Sequence, residues 1–211
     1  VNGSMAAVLG MDAEKIKKVV DCAKIHKTPI RIGVNSGSVP KKIIKRDGGV
    51  SARGLVDAAL GHIRILEGLG FDDIVVSIKS SDIKTMVEAC RLADKSFDYP
   101  LHLGVTEAGL PGQGTLKSAI GIGSLLVDGI GSTIRVSLSG SPIPEIEAAY
   151  DILRALELRP AVQLVSCPTC SRTEIDVEKI AKEVEQKTKG IKKTIKIAVM
   201  GCVVNGPGEA K

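Results

Sequence analysis

Tryptophan is missing from this chain, and aromatic residues fill only 2% of its 211 positions. Surfaces that stack nucleobases need aromatic rings, so their scarcity argues against a nucleic-acid platform. No apolar run reaches the roughly 20 residues that a membrane-spanning helix needs. No basic stretch followed by a short apolar core marks a secretory leader. The reading is therefore of a protein with neither nucleic acid nor membrane as its partner. Histidine is scarce too: His26, His62 and His102 are the only three, and all lie far in sequence from the later cysteines. They make poor partners for a shared metal. Cysteine is odd in number, at five. That argues against a secreted disulfide framework and for a reducing, cytoplasmic setting.

What is present is aliphatic. Hydrophobic residues make up 44% of the chain, enough for a sizeable core built from Ile, Val, Leu and Ala. Charge is mixed, with 29 basic and 24 acidic residues giving a net +5. Basic clusters at Lys41, Lys42, Lys45, Arg46 and at Lys192, Lys193, Lys196 read as solvated surface. A mild positive balance suits an anionic small substrate or an acidic protein partner. Short apolar runs predict strands at 29–34, 73–78, 101–106, 133–138, 161–166 and 194–201. Amphipathic stretches between them predict helices at 12–26, 52–68, 83–95, 116–128, 144–156 and 176–189. Strands alternating with helices mean βαβ units and a parallel sheet, either doubly wound or part of a (β/α) barrel.

Several strands end in polar residues. Arg31 and Asn35 flank residues 32–34 of the first, Lys79 follows residues 75–78 of the second, and Thr106 and Glu107 follow residues 103–105 of the third. Arg135 and Ser137 lie two apart in the fourth, and so on one face. A parallel strand buried on both sides is nearly all apolar. Charge at the carboxyl ends of such strands is where barrels and open α/β sheets place their chemistry. Any one of these residues alone reads as a cap or ion-pair partner; four neighbouring strands with the same feature point to a site. The glycine-rich loop after Glu107 could hold a phosphate oxygen at the following helix. It matches neither a Walker loop nor a dinucleotide fingerprint, and an ordinary strand–helix turn explains it as well.

Cys167-Pro-Thr-Cys170 closes the fifth expected strand and Cys202 the sixth. A two-residue gap lets the first two thiolates converge on one metal centre, and Cys202 joins them if the strands are neighbours. Three thiolates leave a structural zinc site one ligand short. Seven residues beyond Cys202, across Asn205-Gly-Pro-Gly208, stands Glu209. A carboxylate as fourth ligand is harder and more exchangeable than a thiolate, which suits a cluster with one reactive iron. A redox dithiol, a zinc site or a merely buried Cys202 remain as alternatives. Cys22 and Cys90 sit inside helical patterns and read as small apolar residues.

Six strings together resemble one family. They are Ile30-Arg-Ile-Gly-Val-Asn-Ser-Gly-Ser38, Leu101-His-Leu-Gly-Val-Thr-Glu-Ala-Gly109 and Lys117-Ser-Ala-Ile-Gly-Ile-Gly123. The others are Gly129-Ile-Gly-Ser-Thr-Ile-Arg-Val-Ser-Leu138, Ser166-Cys-Pro-Thr-Cys-Ser-Arg-Thr-Glu-Ile-Asp176 and Val199-Met-Gly-Cys-Val-Val-Asn-Gly-Pro-Gly-Glu-Ala210. The family is that of 4-hydroxy-3-methylbut-2-enyl diphosphate synthase, an iron–sulfur enzyme of isoprenoid biosynthesis. The resemblance implies a fold: α/β, the C-terminal half of a (β/α)8 TIM-type barrel over 1–158, then part of a small α/β 4Fe–4S cluster domain over 159–211. The family's first four barrel strands are then absent from this sequence, and its cluster domain continues past the last residue.

The resemblance also implies roles. Cys167, Cys170, Cys202 and Glu209 would hold the 4Fe–4S cluster. Arg31, Asn35, Lys79, Arg135 and Ser137 would contact substrate or its diphosphate, and Thr106, Glu107 and Asn205 match further active-site positions. The implied reaction opens 2-C-methylerythritol 2,4-cyclodiphosphate reductively and removes a hydroxyl, giving 4-hydroxy-3-methylbut-2-enyl diphosphate. Glu107 is the expected proton donor and Glu209 the expected exchangeable ligand. Reduced flavodoxin or ferredoxin would supply electrons, and the complete chain would be a homodimer. The competing expectation is a non-catalytic, zinc-binding fragment of such a protein.

Overall fold

The computed structural model describes residues 13–209, the side chain of Glu209 excepted. The chain divides into two compact units that meet between Ala148 and Ala149.

The first unit opens with helix α1 (Ala13–His26); its expected first residue, Asp12, lies outside the described residues. Strand β1 (Ile30–Asn35) follows, then a 3-10 turn (Ser36–Ser38) and helix α2 (Lys41–Asp47). Next come α3 (Ala52–Gly68), β2 (Ile74–Lys79), α4 (Ile83–Asp94) and β3 (Leu101–Leu103). Helix α5 (Gln113–Val127), β4 (Thr133–Ile134) and α6 (Ile143–Ala155) complete the run, α6 crossing the boundary between units. Two helix starts are set by side chains. Ser51 Oγ accepts the Gly54 N–H at 2.9 Å, and Asp82 Oδ1 accepts the Thr85 N–H at 2.8 Å. Each such cap is worth about 1 kcal/mol.

The four strands are parallel and lie in the order β1-β2-β3-β4. A chain that never reverses its strand order keeps its right-handed crossovers on one face, which is the winding of a barrel rather than of a doubly wound sheet. Burial follows that geometry. Ile32 and Val34 of β1, Val76 and Ile78 of β2, and Leu101 and Leu103 of β3 are buried. They form a layer with Leu55, Ala59 and Ile63 of α3, Met86 and Ala89 of α4, and Ile122 and Leu125 of α5. On the other face, Arg31, Gly33 and Asn35 of β1 are exposed. Cα register sets Arg31 beside Val75, Gly33 beside Ser77 and Asn35 beside Lys79. It continues from Ser77 to His102 and from His102 to Thr133. Residues in register share a face, so the alternation seen in sequence becomes one polar face across the sheet.

The second unit carries β5 (Val162–Ser166), α7 (Val177–Thr188), β6 (Ile195–Val199) and a short α8 (Asn205–Glu209). Strands β5 and β6 pair in parallel from Val162 beside Ile195 to Ser166 beside Val199. Asp176 caps α7 by accepting the Lys179 N–H at 3.0 Å. Among the described residues, no helix is long and apolar enough to cross a membrane.

Candidate active site and cysteine cluster

The first group of side chains lies on the polar face of the sheet: Asn35 and Lys79 at the carboxyl ends of β1 and β2, Arg135 just after β4, and Arg31 near the start of β1. Lys79 ends β2, half-buried and in register with Asn35, which ends β1. Burial lowers the pKa of Lys79, and the positive charges of Arg135 and Arg31 lower it further. An ammonium held so close to other cations is an unfavourable arrangement unless an anion joins it. Among the described residues, neither Lys79 nor Arg135 forms an ion pair with a carboxylate. Arg135 is exposed, and its backbone N–H donates to Leu103 O at 2.9 Å. Ladder contact between β3 and β4 thus persists one residue past the regular strand. Ser137, half-buried, follows on the same alternation between buried Val136 and Leu138.

Gly104 makes room for this cluster. A β-carbon there would stand 2.7 Å from Arg135 O and 3.3 Å from Lys79 Cε, so only glycine lets the lysine stem lie over β3. Thr106 is half-buried, and its N–H donates to Ser80 O at 3.3 Å. Glu107 is exposed with φ +54°, a left-handed conformation that costs a non-glycine residue about 1–3 kcal/mol. The loop is tied down by Ser139 N–H donating to Gly109 O at 2.9 Å. At the end of β1, Asn35 N–H donates to Ser38 Oγ, and that hydroxyl donates back to Asn35 O at 3.0 Å.

His102 belongs to this face, although in sequence it reads as an apolar-strand histidine. It is 5% exposed, its Nδ1 lies 2.8 Å from Thr133 Oγ1, and its Nε2 is buried with no hydrogen-bond partner among the described residues. Burial, then the charges of Lys79, Arg31 and Arg135, push its pKa down to about 4. The imidazole is therefore neutral at pH 7. Its register between Ser77 and Thr133 could be read only once strand pairing was known.

The pH dependence follows from that depressed pKa. An unfolded chain binds the proton near the ordinary value of 6.5, the folded chain only near 4. Stability from this site is full above about pH 6.5 and declines as pH falls toward 4. The span corresponds to about 3 kcal/mol. Urea titrations at pH 7 and pH 4.5 are expected to show a smaller loss of stability for His102→Gln than for the parent chain.

The second group lies in the cysteine-bearing unit. Cys167, Cys170 and Cys202 are all free thiols, with Cys170 exposed and the other two half-buried. Cys167 follows β5 and Cys202 follows β6 by three residues, so both sit past the carboxyl ends of paired parallel strands. Cys167 N–H donates to Val199 O at 3.3 Å, and Cys167 Sγ accepts the Gly201 N–H at 3.2 Å. Cys170 N–H donates to Thr173 Oγ1 at 2.9 Å. Hydrogen bonds from the Arg172 backbone and guanidinium hold the Cys170 thiol below its ordinary pKa. Asn205 opens α8 and is exposed; the Glu209 carboxylate lies outside the described residues. Among those residues, no three His, Cys, Asp or Glu side chains gather closely enough to hold a metal ion. The donor chemistry nevertheless fits an iron–sulfur cluster: three unpaired thiols at adjacent strand ends, one already accepting a backbone N–H as cluster thiolates do.

Fold and site together define a parallel α/β protein: a barrel-type sheet bearing a cationic face, followed by a small cysteine-bearing unit. Residues 3–150 match the GcpE TIM-barrel domain and residues 163–211 the GcpE protein C-terminal domain, and the chain belongs to the GcpE family. It is 58% identical over 199 residues to the 4-hydroxy-3-methylbut-2-en-1-yl diphosphate synthase (flavodoxin) of Caldanaerobacter subterraneus subsp. tengcongensis, covering 94% of this chain and 56% of that protein. To the protein of the same name from Fusobacterium nucleatum it is 57% identical over 204 residues, covering 96% and 57%. The Clostridium perfringens counterpart is 55% identical over 199 residues, with 94% and 57% covered. The chain thus spans a little over half the length of the curated relatives it matches.

Proposed function

We propose that this chain supplies part of the substrate site and of the cluster site of a cytoplasmic enzyme. That enzyme would convert 2-C-methylerythritol 2,4-cyclodiphosphate to 4-hydroxy-3-methylbut-2-enyl diphosphate. The observation that carries the reading is the cluster of Arg31, Lys79 and Arg135 on one sheet face, where burial and then the charges of Arg135 and Arg31 lower the lysine pKa. A cyclic diphosphate brings the negative charge and multiple acceptor oxygens such a cluster requires. Two electrons and one proton convert the substrate: the ring ester opens, leaving a diphosphate with one more negative charge, and a hydroxyl departs as water. Arg31, Lys79 and Arg135 would hold the diphosphate as that charge develops. Asn35, Thr106 and Ser137 would orient it through hydrogen bonds, and Asn205 is assigned to the substrate on family resemblance. Glu107 would give the proton to the departing hydroxyl.

A 4Fe–4S cluster would be held by Cys167, Cys170, Cys202 and Glu209, supplying the two electrons and Lewis acidity toward a substrate oxygen. Reduced flavodoxin, named for the relatives, is the preferred electron donor, ferredoxin the other. In its complete form the protein would be a homodimer, its 1–158 and 159–211 regions forming the second half of the barrel and part of the cluster domain. The test uses the complete polypeptide with its cluster reconstituted, a chemical reductant, and phosphorus NMR of the cyclodiphosphate. Conversion to an open-chain diphosphate is expected; an unchanged cyclic signal with a fully loaded cluster overturns the assignment.

A further inference from the structure

Gly201 and Thr173 are not themselves proposed ligands, yet every loop that carries a cysteine in the second unit runs through them. Thr173 closes the turn after Cys170 twice over: its Oγ1 accepts the Cys170 N–H at 2.9 Å, and its own N–H donates to Cys170 O at 2.9 Å. Gly201 precedes Cys202, and its carbonyl accepts the Glu174 N–H at 2.9 Å. Its N–H goes to Cys167 Sγ at 3.2 Å. Between the two loops there is no spare room. A β-carbon on Gly201 would stand 2.8 Å from Thr173 Cγ2 and 2.7 Å from Val177 Cγ2, closer than such carbons come in folded proteins. Gly201 is buried, and Val177, the first residue of α7, is only 3% exposed, so neither neighbour moves freely.

We infer that Thr173 and Gly201 are positioning residues: a clasp that locks the Cys167–Cys170 loop to the Cys202 strand end and delivers one backbone N–H to the Cys167 sulfur. The inference rests on the reading of these cysteines as cluster ligands. Its physical content is separate. An N–H donated to a ligating sulfur stabilises the more negative, reduced state, and a fixed loop slows escape of a ligand. Neither residue binds iron.

The test compares the parent chain with Gly201→Ala, Thr173→Val, Thr173→Ser and the relief variant Thr173→Ser/Val177→Ala/Gly201→Ala. Each is reconstituted anaerobically with iron and sulfide. Three readouts are taken: iron per chain, the rate of iron release to a chelator, and the cluster midpoint potential. Outer-shell changes at metal sites weaken metal affinity by about 10–100-fold. Gly201→Ala and Thr173→Val are expected to release iron at least about tenfold faster, and Gly201→Ala to shift the potential negative. Thr173→Ser keeps the hydroxyl acceptor and should match the parent. The relief variant removes both methyl contacts and should recover most of the parent's retention, which a generally misfolded variant would not do. Equal release rates and potentials across all the chains overturn the clasp while leaving the cluster intact. A parent chain that takes up no iron and sulfide overturns the cluster reading, and the clasp's role with it.

Discussion

Arg135→Ala is expected to lower kcat/KM for the cyclic diphosphate by about 100-fold, or ~3 kcal/mol, the scale of a charge-assisted hydrogen bond. The residue stands at the end of β4 with no carboxylate partner among the described residues, and its charge is felt by both Lys79 and His102. With no ion pair to break among the described residues, the loss falls on binding rather than on folding. The cluster's visible absorption should therefore be unchanged, which separates this effect from a general loss of structure. Lysine at the same position keeps the charge but not the planar fork, and recovery should be partial. Steady-state rates on the complete enzyme decide the matter. A change smaller than threefold would remove Arg135 from the diphosphate site.

The second large effect is expected at Glu209. Replacing it with glutamine keeps shape and removes charge, so most bound iron should remain while the electronic spectrum of the cluster changes. Turnover should fall by about 10–100-fold, the range seen when the surroundings of a metal centre are altered. Iron analysis with low-temperature spectroscopy on the substrate-free enzyme checks both parts. An unchanged spectrum with unchanged turnover would make Glu209 an ordinary surface carboxylate at the end of α8.

Much of this architecture was legible in the chain because alternation and register are the same physics seen at two scales. Helix α3 ends where its apolar periodicity ends, at Gly68. The polar residues at strand ends announced a face because a buried parallel strand has no other reason to hold them. What escaped notice had specific causes. Helix α2 hides behind the basic residues Lys41, Lys42, Lys45 and Arg46, and only Ile43 turns inward. The Asn205-Gly-Pro-Gly208 stretch reads as a turn, yet it forms the short α8: a proline in a first helical turn sacrifices no hydrogen bond. Expected strands at 101–106 and 133–138 are shortened to Leu101–Leu103 and Thr133–Ile134. His102 carries no local signal at all, because its meaning depends on which residues of β2 and β4 lie beside it.

The unreversed strand order has a consequence for how this protein can vary. Each β–α module contributes its own element to the polar face: an arginine from the first, a lysine from the second, a neutral imidazole from the third, an arginine after the fourth strand. Three of the four arrive within or at the end of a strand, where pairing fixes them, rather than on the connecting loops. Loops other than the segment after β4 can lengthen or drift without altering the number of cations presented. Changing that number takes a single substitution at one strand position. The charge of the polar face is thus inherited strand by strand, as separately adjustable units within one sheet.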